Sequence, residues 1–94
     1  MLEFMRVKQQ NFYVANVGNN KILKSYNTIV GIITDDKILY QVKYSRTTSK
    51  QVSQYYNNLV SLVEYKNYIV DRNELKEIIK AQTNLDIDTR YNYA

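Results

Sequence analysis

The chain of 94 residues contains no cysteine, no histidine, no tryptophan and no proline, and it has only two glycines. Without cysteine there is no disulfide and no thiolate nucleophile, and without histidine there is no imidazole base. The same two absences remove the usual ligands of zinc, copper and iron. We therefore expect a protein that is not an enzyme and that carries no cofactor and no metal.

Long apolar runs are also missing. No stretch approaches the roughly 18 consecutive apolar residues that a membrane-spanning helix needs. Residues 1–6 lack a basic start followed by an apolar core, so no secretory signal is predicted. We expect a cytoplasmic protein with no membrane association. It should fold as one domain over residues 1–94, because so short a chain has no room for a second core.

Four residue types dominate what is present. Asn, Ile, Lys and Tyr together make 39 of the 94 residues, and all four have A/T-rich codons. This bias indicates an A/T-rich genome. Because codon bias alone can enrich tyrosine, the ten tyrosines are weak evidence for a surface selected to stack on bases.

The charge is distributed unevenly. Residues 1–50 hold 8 Lys and Arg against 3 Asp and Glu, whereas residues 51–94 hold 5 against 6. A basic half favours an acidic partner, either a phosphate backbone or a negative protein surface. It argues against a DNA-mimic inhibitor, which would need the opposite sign. A soluble sheet decorated with lysines would give the same pattern.

The first half of the chain predicts three antiparallel strands. A β-branched and aromatic run over residues 10–17 ends in a Gly-Asn-Asn reversal, and a second run covers residues 22–33. Gly31 inside that second run indicates a bulge or a close backbone approach. After turn residues 34–37, a half-buried third strand would place one set of alternating side chains on one face: Ile38, Tyr40, Val42 and Tyr44.

The second half predicts two helices. Apolar residues recur at helical spacing at Val52, Tyr55, Tyr56, Leu59, Val60 and Val63. Thr48 with Gln51 forms a capping-box pair and predicts the start of this helix. Asp71 with Glu74 repeats the pattern for a second helix that Asn84 closes, and residues 65–70 bridge the two. The predicted fold is therefore α+β, a three-stranded antiparallel meander followed by two helices (β-β-β-α-α), with its core over about residues 8–84.

The segment 85–94 alternates apolar and polar residues with a period of two. It predicts an extra edge strand on the domain's own sheet, a flexible end, or an arm that pairs with a partner or with a second copy in a homodimer. Two of its acids, Asp86 and Asp88, would share a strand face, but no neighbouring oxygen ligands complete a magnesium site. Asp35 and Asp36 are adjacent and are more simply turn formers than an acid/base pair.

Residues 44–50, Tyr-Ser-Arg-Thr-Thr-Ser-Lys, carry the strongest indication of a binding site. Arg46, Lys50 and four hydroxyls surround a predicted helix N-terminus, which attracts anions. Further residues would extend this site into a basic stripe with stacking groups: Lys21, Lys24, Lys37, Lys43, Tyr26 and Tyr40. The alternative interpretation is structural, with Thr48 as the cap, the other hydroxyls satisfying the connection, and Tyr40 and Tyr44 in the core.

The two segments 25–30 (Ser-Tyr-Asn-Thr-Ile-Val) and 44–50 also carry a family resemblance. Together they resemble the signature of small, mostly uncharacterised proteins carried by phages and plasmids of low-GC Gram-positive bacteria, over about residues 11–60. The resemblance implies a mobile-element setting and assigns no role to single residues. Small mobile-element proteins of this size include anti-CRISPR and other anti-defence inhibitors.

Two hypotheses about function follow. The first is a non-enzymatic inhibitor that binds a host defence protein, most simply a CRISPR-Cas effector nuclease such as a Cas9, and needs no active site. The alternative is a small basic accessory protein that binds nucleic acid through its Lys and Arg residues. Both predict the same contact residues, namely Lys21, Lys24, Tyr26, Lys37, Lys43, Arg46 and Lys50.

Overall fold

The computed structural model describes residues 2–8, 10–61 and 66–87. Within them the chain forms six strands and two helices. In chain order these are β1 (Met5–Arg6), β2 (Phe12–Val17), β3 (Asn20–Ser25), β4 (Thr28–Ile33), β5 (Ile38–Gln41), α1 (Arg46–Asn57), β6 (Lys66–Ile69) and α2 (Arg72–Thr83). The predicted apolar position Val63 and the tail residues 88–94 lie outside the described residues.

All six strands form one mixed sheet in sequence order. The first four neighbouring pairs are antiparallel, and β5 pairs with β6 in parallel. A parallel pair needs a crossover, and α1 provides it. The predicted three-stranded meander followed by two helices is therefore wrong, because the sheet has twice as many strands and the first helix lies between two of them.

The predicted second strand over residues 22–33 is in fact two strands, β3 and β4. They meet at a two-residue turn, Tyr26 and Asn27, and Ser25 pairs with Thr28 across it. Tyr26 adopts a left-handed backbone with φ of 55°. Few non-glycine residues do so, and the β-favouring residues on both sides of the turn concealed it in the sequence.

Gly31 behaves as its position predicted. The β3–β4 register shifts between Leu23 and Lys24, which leaves Val30 as the extra residue of a β-bulge. A Cβ atom at Gly31 would lie 2.8 Å from the Tyr40 carbonyl oxygen. Only glycine therefore fits without a backbone shift at the point where β4 meets β5.

Strand β6 was predicted only as a bridge between the helices. It is a sheet edge whose side chains are mostly exposed, so it shows no apolar alternation that a sequence pattern would reveal. Strand β5 ends at Gln41, three residues earlier than predicted. The half-buried third strand is also corrected, because Leu39 and Gln41, which alternate with the predicted face of Ile38 and Tyr40, are buried in a sheet that is covered on both sides.

The sheet is the middle layer between the two helices. Phe12 and its neighbours on one face lie under α1, where the Phe12 and Tyr55 rings meet edge to face at 5.7 Å. On the other face Ile22 and Ile32 are fully buried. Strands β3 and β4 contact α2, and the Asn20 side chain of β3 donates to the Gln82 carbonyl at 3.3 Å.

Both helices begin at side-chain caps. The cap of α1 is Ser45, whose hydroxyl accepts the Thr48 N–H at 3.0 Å, so the predicted start at Thr48 is corrected by one turn. The predicted caps of α2 are confirmed. Asp71 accepts the Glu74 N–H at 2.8 Å, and Asn84 ends the helix with a left-handed backbone. Among the described residues, neither helix has the length and apolar composition to cross a membrane.

Candidate anion-binding site at one end of the sheet

The topology brings four connecting segments to one end of the sheet. Strands β5 and β6 are parallel, so both finish there, and each is followed directly by a helix. The β3–β4 turn lies at the same end, because Ser25 and Thr28 close that hairpin beside the first turn of α1. The β1–β2 connection joins them through the Tyr26 N–H, which donates to the Asn11 carbonyl at 2.8 Å. We call this region the basic end.

The basic end concentrates positive charge. Six cationic side chains occupy it, against the two acids Asp71 and Glu74 of α2. The remaining described residues hold six cations and five acids, so the excess of charge lies almost entirely at this end. The six cations are Arg6, Lys8, Lys43, Arg46, Lys50 and Arg72.

One of the two acids is already engaged. The Asp71 carboxylate accepts the Glu74 backbone N–H, and this hydrogen bond holds the pKa of Asp71 below its usual range. The negative charge of Asp71 is thus directed at the first turn of α2. By contrast, the side chains of Lys43, Arg46 and Lys50 are exposed and make no hydrogen bond or ion pair with any other described residue.

A chain of hydroxyl groups fixes the start of α1 to the sheet. The Ser45 hydroxyl donates to the Thr48 hydroxyl at 2.9 Å, and the Thr48 and Ser25 hydroxyls lie 2.9 Å apart. Either hydroxyl of the Ser25–Thr48 pair can be the donor, since a hydroxyl oxygen can accept two hydrogen bonds. Ser25 and Thr48 are buried, so these two residues of the sequence signature are structural. They position the first turn of α1 and do not offer a free nucleophile.

Exposed tyrosines flank the cations. Tyr26 at the tip of the β3–β4 turn is 61% exposed, and Tyr44 before α1 is 45% exposed. The Arg72 guanidinium lies 5.9 Å from the Tyr44 ring centroid, within cation–π range. Aromatic rings beside cationic side chains are the combination on which unstacked bases and phosphates bind.

The structure brings some of the predicted contact residues together and separates others. Tyr26, Lys43, Arg46 and Lys50 share the basic end, whereas Lys21 and Lys37 lie at the opposite end of the sheet. The β4 strand that separates them spans about 17 Å at 3.3 Å per residue. Lys21 is also engaged there, because its ammonium donates to the Asn16 side chain at 2.7 Å.

Lys24 is not accessible to a partner. It is 3% exposed, and its ammonium lies 4.7 Å from the Phe4 ring centroid and 4.6 Å from that of Tyr13. Burial lowers the pKa of Lys24. The two rings compensate part of the lost hydration, and the contact fastens the N-terminal segment to β2 and β3.

Sequence reasoning missed three of the cations, Arg6, Lys8 and Arg72, and it left Tyr44 as a core candidate. Arg6 and Lys8 belong to a two-residue strand and its turn, which give no periodic signal. Arg72 reaches the basic end only because β6 runs parallel to β5. A pattern of alternating residues cannot show that pairing.

The described acids do not form a metal centre. Within residues 2–8, 10–61 and 66–87, no cluster of three or more acidic side chains has metal-binding geometry. Asp86 lies 3.6 Å from the Lys76 ammonium, and Asp88, which was expected to share its strand face, is outside the described residues.

Comparison with known proteins places the chain in a family. A family model matches residues 1–77, and the chain therefore belongs to DUF8033, a family of unknown function. No curated protein and no solved structure matches the chain.

Proposed function

We propose that this DUF8033 member is a non-enzymatic binding protein whose basic end holds a single strand of nucleic acid. The observation that carries the proposal is the convergence of six cations and two exposed tyrosines at one end of the sheet. The absence of cysteine and histidine from the sequence favours binding over catalysis.

Electrostatics supplies the first step of the argument. A phosphate backbone releases counterions when Lys and Arg neutralise it, and this release drives binding. Lys43, Arg46 and Lys50 have no internal partner among the described residues, so they can meet phosphates without breaking an existing contact. The N-termini of both helices add a partial positive charge on the same side.

The tyrosines supply the second step. A ring stacks on a base only where the base is unpaired, and Tyr26 and Tyr44 stand exposed beside the cations. We therefore propose single-stranded DNA or RNA as the ligand. We also propose that it acts in the cytoplasm of a bacterial host, which is the mobile-element setting that the sequence resemblance implies.

The experiment is a fluorescence anisotropy titration with a labelled oligonucleotide of about 16 nucleotides, the upper site size of a small single-strand-binding domain. The variant Lys43→Glu with Arg46→Glu reverses two charges at the basic end. The matched control, Lys37→Glu with Lys80→Glu, makes the same change in net charge at the opposite end of the sheet and at the end of α2.

We expect the basic-end variant to bind at least about tenfold more weakly, and its salt dependence to fall by about two units of slope. The control should lose much less, and both variants should keep the thermal midpoint of the parent, since all four residues are exposed. An equal loss in both variants would show a response to net charge alone. Absence of binding by the parent protein would refute the proposal.

The inhibitor hypothesis is the second candidate, and a different surface favours it. Strand β6 is a sheet edge, and its residues Tyr68 and Ile69 are 51% and 62% exposed. An exposed edge with an aromatic side chain suits strand addition by a protein partner. We propose that a CRISPR effector such as a Cas9 nuclease would bind there.

A cleavage assay with purified Cas9 and matched target DNA separates the two candidates. Inhibition that survives Lys43→Glu with Arg46→Glu but is lost on Ile69→Asp supports the inhibitor hypothesis. No inhibition by the parent protein, or loss of inhibition only in the basic-end variant, counts against the β6 edge as the contact.

A further inference from the structure

A pocket of about 200 Å³ lies between the β1–β2 connection and α1, next to the basic end. Val7, Lys8 and Gln10 form one wall, and the α1 side provides Gln51, Gln54, Tyr55, Asn58 and Leu59. Its volume is below the range of about 300–1,000 Å³ that holds a complete drug-sized ligand. The pocket therefore suits one flat group that belongs to a larger ligand.

Side-chain amides dominate the polar part of this pocket. Gln51, Gln54 and Asn58 follow one another at helical spacing on the same side of α1, and Gln10 faces them from the connection. None of these four amide groups hydrogen-bonds to another group in the described part of the chain. Each carries both a donor and an acceptor, which is what the edge of a nucleobase requires.

The rest of the lining fits the same ligand. Val7, Tyr55 and Leu59 give an apolar surface for a ring, and none of the described residues that line the pocket is acidic. Lys8 stands at its border, and the Arg6 side chain holds the connection by donating to the Gln10 carbonyl at 3.0 Å. A phosphate next to a base in this pocket would therefore meet positive charge continuous with the basic end.

We infer that this pocket binds one base of the strand whose phosphates lie on the basic end. The inference rests on the proposed function and adds to it a base-binding subsite, formed by the amide groups of Gln51 and Gln54 together with the apolar floor. It predicts that the protein distinguishes a strand with bases from a strand that has only the sugar-phosphate backbone.

The test compares an oligonucleotide of about 16 nucleotides with an abasic strand of the same length and charge. We expect the base-bearing strand to bind about tenfold more tightly, within the range for a single base stacked in a site. Because Tyr26 and Tyr44 can also add a preference for bases, the variant Gln51→Leu with Gln54→Leu is needed. This variant should lose most of the preference while keeping its affinity for the abasic strand.

The control is Gln82→Leu, which removes an exposed amide side chain from α2 far from the pocket and should leave the preference unchanged. A preference that persists undiminished in the Gln51→Leu, Gln54→Leu variant would overturn the pocket assignment and leave the basic end intact. Equal binding of the two strands by the parent protein would overturn the pocket assignment and the stacking role of Tyr26 and Tyr44, and would leave only the phosphate contacts of the basic end. If neither strand binds, the proposed function fails, and the pocket inference fails with it.

Discussion

The two ends of the sheet use polar side chains in different ways. At the basic end, buried hydroxyls of Ser25 and Thr48 secure the fold, while the neighbouring Lys43 and Arg46 stay exposed without internal partners in the described chain. At the opposite end, polar side chains form hydrogen bonds within the protein. For example, the side-chain oxygen of Asn20 accepts the Asp35 N–H at 3.0 Å. At the basic end, the side chains that stabilise the fold are thus different from those that remain open to a ligand. At the opposite end, the side chains of Asn20 and Lys21 are used in bonds within the protein.

The opposite end also has its own buried hydroxyl. Tyr56 of α1 is fully buried, and its hydroxyl accepts the Lys66 N–H at 3.0 Å and hydrogen-bonds to the Lys37 carbonyl. This one side chain ties the start of β6 to the β4–β5 turn. The comparison predicts that loss of the Tyr56 hydroxyl at the opposite end should lower stability without changing binding, whereas reversal of the exposed charges at the basic end should weaken binding without changing stability.

The largest effect on stability should come from Tyr56→Phe. The substitution removes the hydroxyl that bonds the part-buried Lys66 N–H and Lys37 carbonyl, at a cost of about 1–3 kcal/mol. Urea unfolding should show this loss of stability. The affinity for the oligonucleotide should remain within about twofold of the parent, which is well below a tenfold change in Kd, equivalent to about 1.4 kcal/mol.

The control for this prediction is Tyr68→Phe, which removes an exposed hydroxyl on β6 and should be close to neutral. Equal destabilisation by both variants, or a loss of affinity in Tyr56→Phe, would break the division between the two ends.

Thr48→Val should have the next largest effect. It replaces the central hydroxyl of the chain that joins Ser45 to Ser25 by a methyl group of similar size, and we expect a loss of about 1–2 kcal/mol. Because Thr48 positions the first turn of α1, the affinity for the oligonucleotide should fall as well, measured on protein that is fully folded.

Thr47→Val, in the same turn but exposed, is the matched control for Thr48→Val and should change stability by less than about 0.5 kcal/mol. Equal changes in stability for the two variants would show that the buried hydroxyl groups do not hold the first turn of α1 in place.

The smallest effect should be the pH dependence at Asp71. Its pKa is lower in the folded protein than in the unfolded chain, so its capping contribution is complete above the usual value of about 3.9 and is lost as the pH falls through the folded pKa. Asp71→Asn keeps an oxygen that can cap the helix and cannot ionise. Thermal unfolding between pH 5 and pH 2 should therefore show a steeper decline for the parent than for the variant, and parallel curves would contradict this assignment.

Local features of the structure could be predicted well. The capping residues of α2, Asp71 and Asn84, were both identified, because a cap is decided by residues within one turn of each other. The role of Gly31 followed from its position inside a strand. The turn at Tyr26 could not be found in the same way, since its backbone is one that few side chains adopt and its neighbours favour strand.

The candidate site was predicted only in part, because a sequence pattern shows which residues are close along the chain and not which distant residues meet in the fold. Lys43, Arg46 and Lys50 are close in sequence and stay close in the structure. Lys21 and Lys24 belong to the same strand, yet one lies at the opposite end and the other is buried between two rings. Arg72 joins the site from far along the chain, and no local pattern could have placed it there.

The sequence by itself determined that thiol and imidazole groups are missing, where α2 begins and ends, and that the first half of the chain is basic. These properties depend on composition or on residues within one turn. The tertiary structure decided that β5 and β6 are parallel, and this pairing brings the N-terminus of α2 and Arg72 to the end of the sheet where α1 begins and where the other five cations lie. The pairing depends on contacts between residues more than twenty positions apart, such as the side chains of Gln41 and Asn67, and those contacts exist only once the sheet has formed.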